Sequence, residues 1–183
     1  MSVKHVQPEQ YFLASTPHVP NSRLPILVYR NVLENTSPHS ILNTIEPNGW
    51  IKGGQWKTYK VPHFHTHCHE CYGIIRGGST YLLGVGPNDP KVDEQGNPYG
   101  MKLSVQRGDV FVLPVLDIDD GKGILEATGH RFDMNYGFRP PEETSALVKQ
   151  SESVAIPPLD PLYGLDGPLP RLWKEAARSR ARL

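Results

Sequence analysis

Seven residues, His63-Phe-His65-Thr-His67-Cys-His69, hold four of the chain's eight histidines, and Glu70 follows directly. In an extended strand alternate side chains share a face, so these imidazoles could project to one side. Imidazole nitrogens and a carboxylate converging on one point suit a divalent cation, with iron, manganese, nickel and zinc all candidates. His63 and His65 share a strand face, so both imidazoles can reach one ion, and a change of direction is expected after His65. Glu70, opening the next strand, would then add an oxygen from beside them. One ion cannot use every imidazole. His69 is expected to hydrogen-bond around the ligands, where such partners fix ligand orientation, and His67 to sit at the mouth or in solvent. Tyr72 and Ile74 share parity with Glu70 and line either a cavity or an ordinary core. Cys68 and Cys71 form a single C-x2-C; a zinc ribbon needs two such pairs, so both are read as packing residues.

Such a cluster needs a frame to hold it. Eighteen prolines and 17 glycines are spread over 183 residues, which punctuates the chain into short segments and leaves little room for long helices. Strand-like runs occupy 24–30, 55–61, 71–76, 79–85, 101–105 and 110–115. Gly77-Gly78 between two of them reads as a two-residue hairpin turn. Gln106-Arg-Gly-Asp109 reads as another turn, and 86–100 as a long hairpin loop. Short strands at this spacing predict an all-β fold, an antiparallel sandwich or barrel. Ser37 caps a short helix with Pro38 at its first position and Ile41, Leu42 and Ile45 inward; Pro47-Asn48-Gly49 stops it. Residues 140–170 read as an extended arm. The tail from Leu172 carries helix formers, with basic residues towards its C-terminus, and reads as a solvated terminal helix.

This length suits one domain: an N-terminal segment over 1–20, a barrel over 24–139, and a Pro-rich arm with the terminal helix over 140–183. Nineteen basic and 19 acidic residues cancel, which argues against an electrostatic grip on nucleic acid or on an anionic membrane. No apolar run is long enough to span a membrane, the first residues lack the apolar core of a signal peptide, and two cysteines make no disulfide framework. A reduced, cytoplasmic setting is expected. Exposed sheet edges and a long arm predict a two-fold homodimer.

The spacing His63-x-His65-x4-Glu70-x6-Gly77 resembles the first motif of the cupin superfamily, and Gly108-Asp-Val-Phe-Val-Leu-Pro114 resembles the opening of the second. Gly49-Trp50, Asp133-Met-Asn-Tyr-Gly137, Asp160-Pro-Leu-Tyr-Gly164 and Gly167-Pro-Leu169 narrow the likeness to the YjlB-like branch, from about Leu24 to Trp173. The resemblance implies a single jelly-roll-like cupin barrel with short helices outside it. It also implies a metal held inside the barrel by two histidines, a glutamate and a third histidine. The chain departs from the pattern at that third histidine, where it has Asp119, and Leu116 replaces the motif glycine. Three arrangements compete: Asp119 ligates, His130 folds back into the position, or His63, His65 and Glu70 form an open triad. The open triad is favoured, with Asp119 as a fourth ligand or as a base on bound water. The function expected is that of a metal-dependent enzyme on a small organic molecule, of dioxygenase type first and of isomerase or decarboxylase type second. The alternative is a non-catalytic cupin with a degenerate metal site.

Overall fold

Ile26-Leu-Val-Tyr29 and Val110-Phe-Val-Leu113 are apolar at every position, the pattern of strands covered on both faces, whereas Met101-Lys-Leu-Ser-Val-Gln106 alternates, the pattern of one wet face. A computed structural model bears this out; it describes residues 3–57, 61–115, 119–120, 124–127, 141–151 and 153–180, with the backbone alone given for 56–57, 119–120, 124–127, 141, 144–145, 150–151 and 180. The elements are β1 (Glu9–Tyr11), β2 (Ile26–Tyr29), α1 (Pro38–Ile45), β3 (Gly54–Lys57), β4 (Glu70–Arg76), β5 (Gly78–Leu83), β6 (Met101–Gln106), β7 (Val110–Leu113), β8 (Asp119–Asp120), β9 (Ile124–Ala127), α2 (Pro141–Ser151) and α3 (Leu169–Arg180). The strands form two antiparallel sheets, one in the order β1-β2-β7-β4-β9-β3 and one in the order β6-β5-β8. The fold is mostly β, two packed antiparallel sheets with a few short helices, as the spacing of short strands predicts.

Alternation along the strands explains the two larger buried clusters. Ile26, Val28, Tyr72, Ile74, Phe111 and Leu113 of the larger sheet pack on Tyr81, Leu83, Leu103 and Val105 of the smaller one. The intervening residues of the larger sheet, Leu27, Tyr29, Cys71, Val110 and Val112, face outward onto Ile41 and Ile45 of α1 and Leu169 and Trp173 of α3. Each fully buried aliphatic side chain of these layers contributes roughly 1.5–3 kcal/mol. Among the described residues the smaller sheet has no such outer layer: β5 and β6 alternate between buried and exposed positions.

Local signals set most of the boundaries. Ser37 Oγ accepts the Ser40 N–H, Pro38 opens α1, and Gly49 ends the turn after it at φ +82°. In the second motif, Asp109 is buried and its carboxylate accepts from the Asn31 and Gln106 N–H groups and from Arg30. This carboxylate fixes the corner between β6 and β7.

Three expectations are corrected. Gly77-Gly78 is not a hairpin, because β4 belongs to the larger sheet and β5 to the smaller; the chain crosses between sheets at Gly77, whose φ is +74°. The segment 140–170 is not wholly extended, since it holds α2, which starts at Pro141 with Glu142 and Glu143 in its first turn and Lys149 in its last. Such placement suits a helix N-terminus and C-terminus. The terminal helix is not simply solvated. It begins three residues earlier than expected, and Leu169, Trp173 and Ala176 make a buried stripe, with Trp173 Nε1 donating to the Pro25 carbonyl at 2.9 Å.

The outer core also contains a buried phenol. Tyr29 donates from its hydroxyl to Asp160 at 2.6 Å. Burial first, and then the Asp160 carboxylate, push that phenol well above its ordinary value. Below about pH 10 folded and unfolded chains both keep the proton; above it the unfolded chain alone releases it. Stability is therefore expected to be full below about pH 10 and to fall as pH rises further. Urea titrations across that range should show a shallower alkaline decline in Tyr29→Phe. An identical decline in both proteins would show that another group is responsible.

Candidate metal centre

The histidine run lies at the lip of the larger sheet, immediately before β4. His63 and Phe64 are extended, the chain bends at Thr66 and His67, and β4 opens at Glu70, opposite Leu113 of β7. His63, His65 and Glu70 are all buried, at 6%, 5% and 5% exposure. The His63 and His65 rings meet edge to face with centroids 5.1 Å apart, and His65 Nε2 lies 3.3 Å from Glu70 Oε1. His63 thus sits beside His65, and His65 beside Glu70.

Each of the three is also oriented. Glu70 and Tyr72 share a face of β4, and the Tyr72 hydroxyl donates to Glu70 Oε2 at 2.8 Å, leaving Oε1 towards His65. Tyr72 is itself fixed by stacking on Phe111, with centroids 4.8 Å apart and planes within 15°. His63 Nδ1 lies 3.0 Å from the Val61 carbonyl. An Nδ1–H donating there makes Nε2 the lone-pair nitrogen of the neutral ring. Burial lowers the His63 pKa; the Val61 carbonyl opposes this, His65 adds to it, and Glu70 opposes it. A neutral imidazole is the form that ligates metal. The Val61 carbonyl and Phe111 are supports that the sequence reading did not single out. Parity with Glu70 was the only signal for Tyr72.

The separation of His65 from Glu70 is informative. At 3.3 Å it is longer than a charge-assisted hydrogen bond, about 2.7–2.9 Å. Two bonds of about 2.0–2.2 Å to one ion span 3.3 Å when they open to roughly 105°. This pair therefore fits two ligands of one divalent ion, in donor chemistry and in spacing. The three together are not arranged around one point: among the described residues, His63, His65 and Glu70 included, no group of three or more His, Cys, Asp or Glu is placed to hold an ion.

The other candidates are placed as follows. His67 is exposed, with Nδ1 2.9 Å from Thr66 Oγ1. His69 does not make the expected hydrogen bond to a ligand. The bend at 66–67 reverses its parity, and it faces α3, with its ring centroid 4.6 Å from that of Trp173 and Nδ1 accepting the Val115 N–H at 3.0 Å. Burial lowers its pKa to about 4, opposed by the backbone of Ala155. Cys71 is buried in the outer core, where burial and then Asp160 push its thiol up; Cys68 is half-buried. The backbone of Asp119 pairs with Leu83 on the smaller sheet, but its side chain lies outside the described residues, as does the whole of His130.

Three comparisons bear on kinship. No protein-family model matches the chain. It is similar to the uncharacterized protein YjlB of Bacillus subtilis (strain 168), with 26% identity over 174 residues, 90% of this chain and 96% of that protein. A solved structure of Lactobacillus farciminis oxalate decarboxylase in a formate complex shares 11% identity at a TM-score of 0.31. That alignment covers 83% of this chain and 40% of the decarboxylase, so the chain spans well under half its length. At that score the likeness carries no argument about fold or chemistry.

Proposed function

We infer that this protein is a metal-dependent cupin enzyme acting on a small organic molecule, with His63, His65 and Glu70 as its ligand set. The observation carrying this reading is the buried His65–Glu70 pair at 3.3 Å with the His63 ring against it. When bound, a divalent ion would polarise a substrate oxygen or acidify water, and a redox-active one would support oxidation by dioxygen. The chain's own residues supply orientation. Tyr72 holds Glu70, the Val61 carbonyl holds His63, and burial excludes bulk water from all three. Asp119 is assigned as a fourth ligand or as a base on water. Dioxygenase-type oxidation is the reaction class adopted, ahead of isomerisation or decarboxylation. The identity to YjlB over most of both chains supports a YjlB-like grouping. The reading also includes a two-fold homodimer formed over exposed sheet edges, which light scattering would test.

The non-catalytic alternative is favoured by the lack of a three-donor group among the described residues and by Asp119 in place of the motif histidine. Metal content separates the two. Untagged protein never exposed to nickel is expected to carry, or to take up from Fe(II) or Mn(II), about one ion per chain. No metal as purified and none after reconstitution would defeat the metalloenzyme reading. Asp119→Ala is expected to change metal affinity or turnover; unaltered values of both would remove Asp119 from the site.

A further inference from the structure

Phe64 stands between two of the assigned ligands. In an extended stretch His63 and His65 share one face and Phe64 takes the opposite one. Phe64 is 1% exposed and belongs to a small apolar cluster with Val19, Val115 and Leu147, against which Val148 and Val154 pack. Leu147 and Val148 lie on α2 and Val154 follows it, so a segment distant in sequence backs the histidine run. A second grip comes after the bend. The ring of His69, next to Glu70, is held at Nδ1 by the Val115 N–H and at its other nitrogen by the backbone of Ala155. The hold is light. Of the α2 side chains described, Leu147 alone is buried and Val148 is half-buried, whereas Glu142, Glu143, Ala146 and Lys149 are exposed. An isolated helix of 11 residues is marginal in water, so α2 depends on this docking for its own structure. The contact is also incompletely filled, since a cavity of about 340 Å³ is lined by Val148 and Val154 of this segment and by Val115 and His69 of the body.

On the assignment of His63, His65 and Glu70 as ligands, we propose that Phe64 is a positioning residue of the metal centre and that α2 sets it. Docking of Leu147 and Val148 keeps Phe64 in its seat, and Phe64 keeps the two imidazoles on the opposite face of the chain. Undocking of α2 frees the run to swing, exposes both imidazoles and weakens the hold on metal. By reciprocity, a bound ion strengthens the docking of α2 by the same factor.

Leu147→Ala in the full chain is the test, with Leu147→Met conserving the volume and Ile45→Ala as a comparable truncation in the outer core. Without metal, diethyl pyrocarbonate is expected to modify the buried His63 and His65 about fivefold faster or more in Leu147→Ala, and the exposed His39 at the wild-type rate. Leu147→Met and Ile45→Ala are expected to keep wild-type rates at all three. With Mn(II), affinity is expected to fall by about fivefold or more in Leu147→Ala, and exchange of the α2 amides to slow in the wild-type protein. Phe64→Leu should repeat the Leu147→Ala effects, and the double variant should add little, because both loosen one seat. Wild-type reactivity of His63 and His65 in Leu147→Ala would overturn the proposal. So would an equal rise in Ile45→Ala, which would mark an effect of global stability, additive effects of Phe64→Leu and Leu147→Ala, or unaltered Mn(II) affinity in Leu147→Ala. A wild-type protein that takes up no Mn(II) would instead defeat the ligand assignment, and the role of Phe64 at a metal centre with it.

Discussion

Asp160→Ala is expected to lower the unfolding free energy by about 3–5 kcal/mol, which for a chain of this size lowers Tm by roughly 10 °C. Asp160 is completely buried, and its carboxylate accepts four hydrogen bonds. Oδ1 takes the N–H groups of Leu162 and Tyr163; Oδ2 takes the Tyr29 hydroxyl and the N–H of Leu169, the first residue of α3. One side chain thus closes its own loop, caps a helix whose N-terminal dipole favours an anion, and ties both to β2. Alanine would leave all four donors in a place water does not reach, each costing about 1–3 kcal/mol before relaxation. Asparagine keeps one oxygen and the volume, so about half the loss is expected. Gly167→Ala tests the same packing from the other side. A Cβ at Gly167 would overlap the Asp160 side chain, so that substitution is expected to cost about 3 kcal/mol although it removes no contact. Urea denaturation of the three variants checks the series. Asp160→Ala or Gly167→Ala within about 1 kcal/mol of wild type would show that the loop relaxes freely around α3.

The pieces legible in the sequence are those where local pattern and tertiary burial agree. The continuous apolar runs of β2 and β7 and the alternation of β6 signal how many faces each strand buries, and Ser37-Pro38 signals α1 with its cap. Gly77-Gly78 misleads because turn chemistry is local, while the sheet that each flanking strand joins is decided by packing. The α3 stripe is easy to miss because Leu169, Trp173 and Ala176 are separated by Arg171, Lys174 and Glu175, which point outward. At the site, motif spacing brings out His63, His65 and Glu70. It takes His69 out of the ligand set by the bend after His65, but the partners His69 finds instead, Trp173 and the Val115 N–H, come from distant segments that local pattern does not reveal.

Glu70→Gln is expected to leave the metal-free stability within about 1 kcal/mol of wild type while abolishing stabilisation by metal. The amide keeps the volume of Glu70, its oxygen can still accept from the Tyr72 hydroxyl, and its NH2 can face His65. What it lacks is the anionic oxygen that a hard or borderline cation requires. In the wild-type protein an ion at 100 times its Kd adds about 2.7 kcal/mol to stability, because it binds the folded chain alone. In the variant that increment should fall towards zero. Tyr72→Phe leaves the carboxylate in place but releases its hold on Oε2, and such loss of an orienting partner lowers metal affinity by roughly 10–100-fold. A purely structural role predicts the reverse for Glu70→Gln. If Glu70 and His65 were a fold-holding ion pair, removing the charge would cost about 3–5 kcal/mol without metal, and adding Mn(II) would shift neither protein. Urea titrations with Mn(II) and with chelator separate these outcomes, because the two roles move different numbers. The His65–Glu70 distance of 3.3 Å suits both roles, an ion pair and two ligands of an ion set to one side of them at about 105°, so the response to Mn(II) decides between them.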